Sequence, residues 1–114
     1  MDDSILNSIK KLLGIAEDYE YFDSDILVHI NSVFIGLAQL GVGPKNPFHI
    51  YDKTAVWDDF MQGDPLDQVK SYVYFKVRLM FDPPSGTAMD AMKSAISELE
   101  WRLTNNENIL NAYS

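Results

Sequence analysis

The groups in this 114-residue chain that could carry chemistry are few, and their spacing does not suit it. There are two histidines, His29 and His49, and neither stands at a spacing that makes a nucleophile relay or a metal site. There is no cysteine, so disulfides and thiolate metal sites are excluded. Asp58 and Asp59 lie between Trp57 and Phe60, but neighbouring helical residues diverge by about a quarter turn or more, so the two carboxylates do not converge on a cation. A solvent-facing first helical turn accounts for them. Gly41-Val42-Gly43 lacks the lysine and serine of a phosphate loop and follows no strand. The tyrosines and phenylalanines lack interleaved arginines and lysines, so core packing and protein interfaces explain them better than base stacking does. No catalytic, cofactor-binding or metal-binding residue is predicted, and the chain does not read as an enzyme.

Seventeen acidic residues against nine basic ones leave a formal charge of -8, a surface that repels phosphate backbones and anionic lipid. The acids cluster at Glu17, Asp18, Glu20, Asp23 and Asp25, and again at Asp52, Asp58, Asp59, Asp64 and Asp67. A 46% apolar and 12% aromatic content argues for a packed core, and the length suits one domain. The first residues lack the basic-then-apolar order of a secretory signal, and no apolar run is long enough to span a bilayer. A soluble, intracellular product is expected.

The elements that must position any functional surface are helical. Residues 64–84 form the longest apolar stretch, with Asp64 as cap, Pro65 at the first helical position and Asp82-Pro83-Pro84 as the stop. Its stripe is Leu66, Val69, Val73, Val77 and Met80, while Phe75 and Leu79 lie nearly opposite and Tyr72 between. Residues 4–13 place Ile5, Ile9, Leu12 and Leu13 on one face, with Asp2, Asp3 or Ser4 as cap and Gly14 as a left-handed stop. That segment reads either as part of the core or as an arm that folds on docking. Asp23 or Ser24 opens a helix to about Leu40, ended by Gly41, with the stripe Ile26, Ile30, Val33, Leu37 and Leu40. Val28 and Ile35 form a second seam on its far side.

From residue 42 to 63 the periodicity fails, and Gly43, Pro44, Asn46 and Pro47 mark a turn-rich connection. Within it Phe48, Ile50 and Tyr51 suit a short strand or hairpin arm, and Thr54 suits the cap of a helical turn through Trp57 and Phe60. A last helix starts at Thr87, in a capping-box pattern with Asp90, and buries Ala88, Met92, Ala95, Ile96, Leu99 and Leu103, leaving Trp101 off the stripe. The expected fold is all-α: one domain over residues 1–103 with a four-helix core and a long projecting central loop that carries a strand or hairpin, then a loose polar tail over 104–114.

Taken in order, these segments resemble the small head-tail connector proteins of tailed bacteriophages of Gram-positive hosts. The matching pieces are SIKKLLGI within residues 4–15, FDSDILVHINSVFIGLAQLGVGP at 22–44, WDDF at 57–60, VKSYVYFKVRLMFDPP at 69–84 and ELEWRL at 98–103. The most telling parts are Asp82-Pro83-Pro84 and Leu40-Gly41-Val42-Gly43-Pro44. The resemblance implies a mostly helical, non-enzymatic protein of the virion, made in the host cytoplasm, that forms a ring beneath the portal and offers a docking platform to tail or stopper proteins. DNA then only passes through the channel, which an acidic lining would help to keep slippery.

Interface residues follow from the physics rather than from the family. Seams that one partner helix cannot cover, Val28 with Ile35 and Phe75 with Leu79, together with Trp101, are the expected contacts between copies, and a head-to-tail contact that closes makes a ring. Phe48, Ile50, Tyr51 and Trp57 are the expected docking residues of the loop. A compact four-helix core covering both seams is the competing account. It goes with a different role, a small acidic monomer that binds or inhibits one host or phage protein.

Overall fold

Ser4 starts the first helix, its Oγ accepting from the Asn7 N–H at 3.2 Å and so satisfying one of the donors that a helix leaves open at its beginning. The computed structural model describes residues 3–113 apart from Lys45, Pro47 and Asp64, and from residue 106 onward describes the backbone alone. Asp2 and Asp64, expected as caps, and the turn residue Pro47 lie outside the described residues. The elements are α1 (Ile5–Leu12), α2 (Asp23–Gln39), α3 (Trp57–Phe60), α4 (Leu66–Phe81) and α5 (Thr87–Tyr113). The protein is all-α, with no strand among the described residues.

Two of the ends are the same motif. At the end of α2 the Val42 N–H donates to the Leu37 carbonyl at 2.9 Å and the Gly41 N–H to that of Ala38 at 3.0 Å. Gly41 takes φ +82°, which a side chain would resist, and Val42 and Leu37 are both buried beneath the turn. At the end of α1, Ile15 and Gly14 donate to Lys10 and Lys11 in the same pattern. The Leu-Gly-aliphatic triplets at 13–15 and 40–42 thus turn the chain by local hydrogen bonding.

α4 packs against both α2 and α5, and α1 lies across α2 and α4. Central α4 buries Val69, Tyr72, Val73 and Val77, α2 buries Ile26, Ile30, Val33, Phe34 and Leu37, and α5 contributes Ile96, Leu99 and Leu103. On α1 the buried face is Ile5, Leu6, Ile9 and Lys10; of the expected Ile5, Ile9, Leu12 and Leu13, Leu12 is 52% exposed while Leu13 is partly buried against the core. Met80 likewise lies outside the α4 stripe and is exposed, with Tyr72 taking the inward position. Thr87 lies inside α5, whose first N–H groups, of Met89 and Asp90, donate to the Gly86 carbonyl. The helix runs past Leu103 to Tyr113, over residues expected to be a loose tail.

The central loop folds back onto α2 instead of forming a strand. Asn31 of α2 donates from Nδ2 to the Ile50 carbonyl at 2.9 Å and accepts from the Ile50 N–H at 2.8 Å. One side-chain amide therefore satisfies the two backbone groups that a ladder would otherwise pair. Nor does the loop begin α3 with Thr54. That residue donates through N–H and hydroxyl to Asp52 Oδ1, while Asp59 Oδ2 accepts from the Val56 N–H at 3.2 Å at the start of α3. Beneath it Phe34, Phe48, Phe60 and Trp57 form an aromatic cluster, with the Phe34 and Phe60 rings stacked 4.7 Å apart.

Candidate functional site

The outward face of α2 is set by helical spacing. With α1 and α4 covering one side, Ser24, Asp25, Val28, Ser32, Ile35 and Gln39 project from the other. Val28 is 66% exposed and Ile35 49%, so the second seam predicted on this helix is left open by the subunit's own fold. From residue 26 to residue 44 there is no Asp, Glu, Lys or Arg. A long charge-free run in an exposed helix of so acidic a chain is a signal that the periodicity argument passed over.

The second seam of α4 fares differently. Phe75 and Leu79 are half-buried and pack against the core, because α4 sits between α2 and α5 and has neighbours on both flanks. On α5, Trp101 is 66% exposed beside Arg102, whose Nη2 reaches Glu98 at 3.1 Å. Open apolar surface thus occurs on α2 and on α5, on either flank of α4.

Of the predicted docking residues in the loop, only Tyr51 stands clear, 79% exposed. Ile50 and Trp57 are a correction: both are buried and unavailable to a partner. Asn31 draws Ile50 inward, and Trp57 has its indole N–H satisfied by Ser8 Oγ at 2.9 Å, which lets the whole ring sink between α1 and the aromatic cluster. Phe48 is half-buried, its ring 5.2 Å from Phe34 and 5.3 Å from Phe60. What projects is the tip, residues 51–54.

Lys10 is a feature missed at the level of sequence. Its side chain is fully buried, and Nζ donates to the carbonyls of Glu17 at 2.9 Å and Tyr19 at 2.8 Å. Asp23 Oδ1 lies 2.8 Å from the same ammonium, in a direction that makes an ion pair without the alignment of a hydrogen bond. The available signal was Leu6 and Lys10, four apart and so on one face. The ammonium pins the acidic connector between α1 and α2, which presents exposed Tyr19 and Tyr21. Phe22 ties it down, its ring 4.9 Å from Tyr21 and 5.2 Å from Phe81, both edge to face.

Two titrating groups are shifted. Burial pushes the Tyr72 phenol up, and its 2.7 Å hydrogen bond to Glu100 on α5 and that carboxylate's charge add to the shift. Asp52 is held below the usual carboxylate range, first by the Thr54 hydroxyl, then by the Thr54 N–H and the nearby Lys53 charge. Among the described residues no group of three His, Cys, Asp or Glu side chains is placed to hold a metal ion. His29 lies edge-on to Phe81 and His49 beside Tyr51.

A family model described as phage connector protein matches residues 5–109. The chain belongs to that family. The match takes in every helix up to the last turn of α5, in agreement with the resemblance carried by residues 4–103. No curated protein and no solved structure matches the chain. The role is that of a phage connector, a structural part of virion assembly. Among the described residues, this connector has no helix long and apolar enough to cross a membrane.

Proposed function

We propose that this connector assembles head to tail into a ring beneath the portal and there offers a platform to tail or stopper proteins, with α2 of one copy meeting the α5 side of the next. The observation that carries the reading is the exposed face of α2 centred on Val28 and Ile35, which carries no charged side chain beyond Asp25 in the helix's first turn. Two copies each bearing a formal charge of -8 repel, and a face whose ionised side chains stop at its first turn is where they come together at low electrostatic cost. A ring needs two different patches on each subunit. The α2 face and the Trp101 region, on either flank of α4, meet that requirement, with half-covered Phe75 and Leu79 as minor contributors.

The magnitudes favour assembly on a template. Burying the exposed parts of Val28 and Ile35 contributes about 2–3 kcal/mol, and Trp101 about 1–2 kcal/mol more. Bringing two molecules together costs about 4–15 kcal/mol. One such contact does not hold a dimer in dilute solution, whereas a portal ring that binds each copy supplies the effective concentration that lets neighbours touch.

The test is co-sedimentation with purified portal rings, using wild type and a Val28→Asp/Ile35→Asp double variant whose helical content is checked by circular dichroism. Wild type is expected to saturate the portal at a fixed ratio, and the folded variant to bind sub-stoichiometrically. A variant that saturates the portal as wild type does, or a wild type that stays monomeric beside the portal, would overturn the proposal.

A further inference from the structure

Between the acidic connector and the tip of the central loop lies a cleft of about 330 Å³, toward the small end of ligand-binding clefts. Its apolar lining comes from Leu6 and Leu27, and Tyr51 is the exposed aromatic beside them. Glu20, Asp23 and Asp52 bring carboxylates to the same cleft, and Lys53 brings the opposing charge. The three acids differ in how they are engaged. Asp23 is paired with buried Lys10. Asp52 is bonded to Thr54 alone, and Glu20 has no basic partner among the described residues.

An apolar floor, an exposed aromatic ring and two carboxylates outside any salt bridge among the described residues, with Lys53 beside Asp52, match one side chain above others. A guanidinium stacks flat on a tyrosine ring, lays its methylenes on leucine and donates in a planar fork to carboxylates. We propose that this cleft takes an arginine side chain from a basic segment of a partner protein. The partner is a different protein, because a second copy, with nine basic residues against seventeen acidic, brings net repulsion to an already acidic cleft. The walls are also held in advance. Lys10 fixes the connector through the Glu17 and Tyr19 carbonyls, and Asn31 fixes the loop at Ile50, so little order is lost on binding.

The experiment is amide chemical-shift titration of the full chain with three acetylated, amidated hexapeptides: Gly-Leu-Arg-Leu-Arg-Gly, the same with lysines, and the same with glutamines. The arginine peptide is expected to move resonances around Glu20, Leu27 and residues 51–53, and to bind about threefold or more tighter than the lysine peptide. Tyr51→Ala and Glu20→Gln, both at exposed positions, should each weaken it about threefold. Equal binding of the arginine and lysine peptides, shifts spread over the whole acidic surface, or no response to Tyr51→Ala would overturn the site. Shifts at these residues that depend on protein concentration without peptide would assign the cleft to a second copy and also overturn it. None of these outcomes depends on the portal, so this proposal and the ring stand or fall separately.

Discussion

Replacing Lys10 with methionine keeps most of the side-chain volume and the stem packing while deleting only the ammonium. In the wild-type fold that ammonium faces three oxygens, at 2.9, 2.8 and 2.8 Å. Breaking a buried pair by removing one partner typically costs about 3–5 kcal/mol, because the other charge is left behind uncompensated. Here the penalty is softened twice over. Asp23 keeps 23% of its side chain in solvent, and it stands in the first turn of α2, where the helix dipole favours a carboxylate. The two freed carbonyls belong to exposed connector residues and can turn to water. The expected loss is therefore about 2–3 kcal/mol in urea unfolding, or roughly 10 °C or more in Tm. Amide exchange should locate the damage, with residues 15–22 losing protection before the helices do. Adding Asp23→Leu to Lys10→Met should recover about 1 kcal/mol by removing the stranded charge. A single variant within about 0.5 kcal/mol of wild type, with an unchanged connector, would refute the role given to Lys10.

Two further substitutions test the packing. Gly43 takes φ +95°, and a Cβ built there lies 2.6 Å from Phe60 Cζ, so Gly43→Ala combines backbone strain with a clash inside the aromatic cluster; a loss of about 2–4 kcal/mol in urea unfolding is expected, and one below about 1 kcal/mol would mean that the ring moves aside freely. The Tyr72 phenol titrates higher when folded than its unfolded value of 10.0, so its contribution is fully present below about pH 10 and is lost as pH rises toward the folded value. Stability of the wild type measured between pH 9.5 and 11 should fall more steeply than that of Tyr72→Phe, by up to about 1.4 kcal/mol per pH unit, and parallel curves would contradict the shift.

Where α1, α2 and α4 end was legible because those ends are local. The Leu-Gly-aliphatic triplets complete their hydrogen bonds within six residues, and Asp82-Pro83-Pro84 stops α4 with no help from elsewhere. What the loop does was not legible, because its partners are remote. The amide that draws Ile50 inward is nineteen residues away, and the hydroxyl that lets Trp57 sink is forty-nine away. A tryptophan in a turn-rich stretch looks like an anchor for a partner until an acceptor for its indole N–H is found within the same subunit. Lys10 was hidden for the same reason, since two of its three oxygens are backbone carbonyls of the connector, and any residue type can present those.

The two second seams carry the functional consequence of this difference. Val28 with Ile35 and Phe75 with Leu79 look alike as patterns, yet the fold half-covers one and leaves the other open. Periodicity reports that a face is apolar and is silent on what covers it. Charge separates them. On α4, Asp67, Lys70, Lys76 and Arg78 are interspersed along the helix, and Lys70 and Lys76 lie over the rings of Trp57 and Tyr72, capping apolar surface with their own stems. On α2, no charged residue follows Asp25. A helix that must face water keeps charges on its outer side for solubility, and a helix that must face like-charged copies of itself does better without them. The open seam on α2 is thus a surface whose composition suits the subunit contact proposed above.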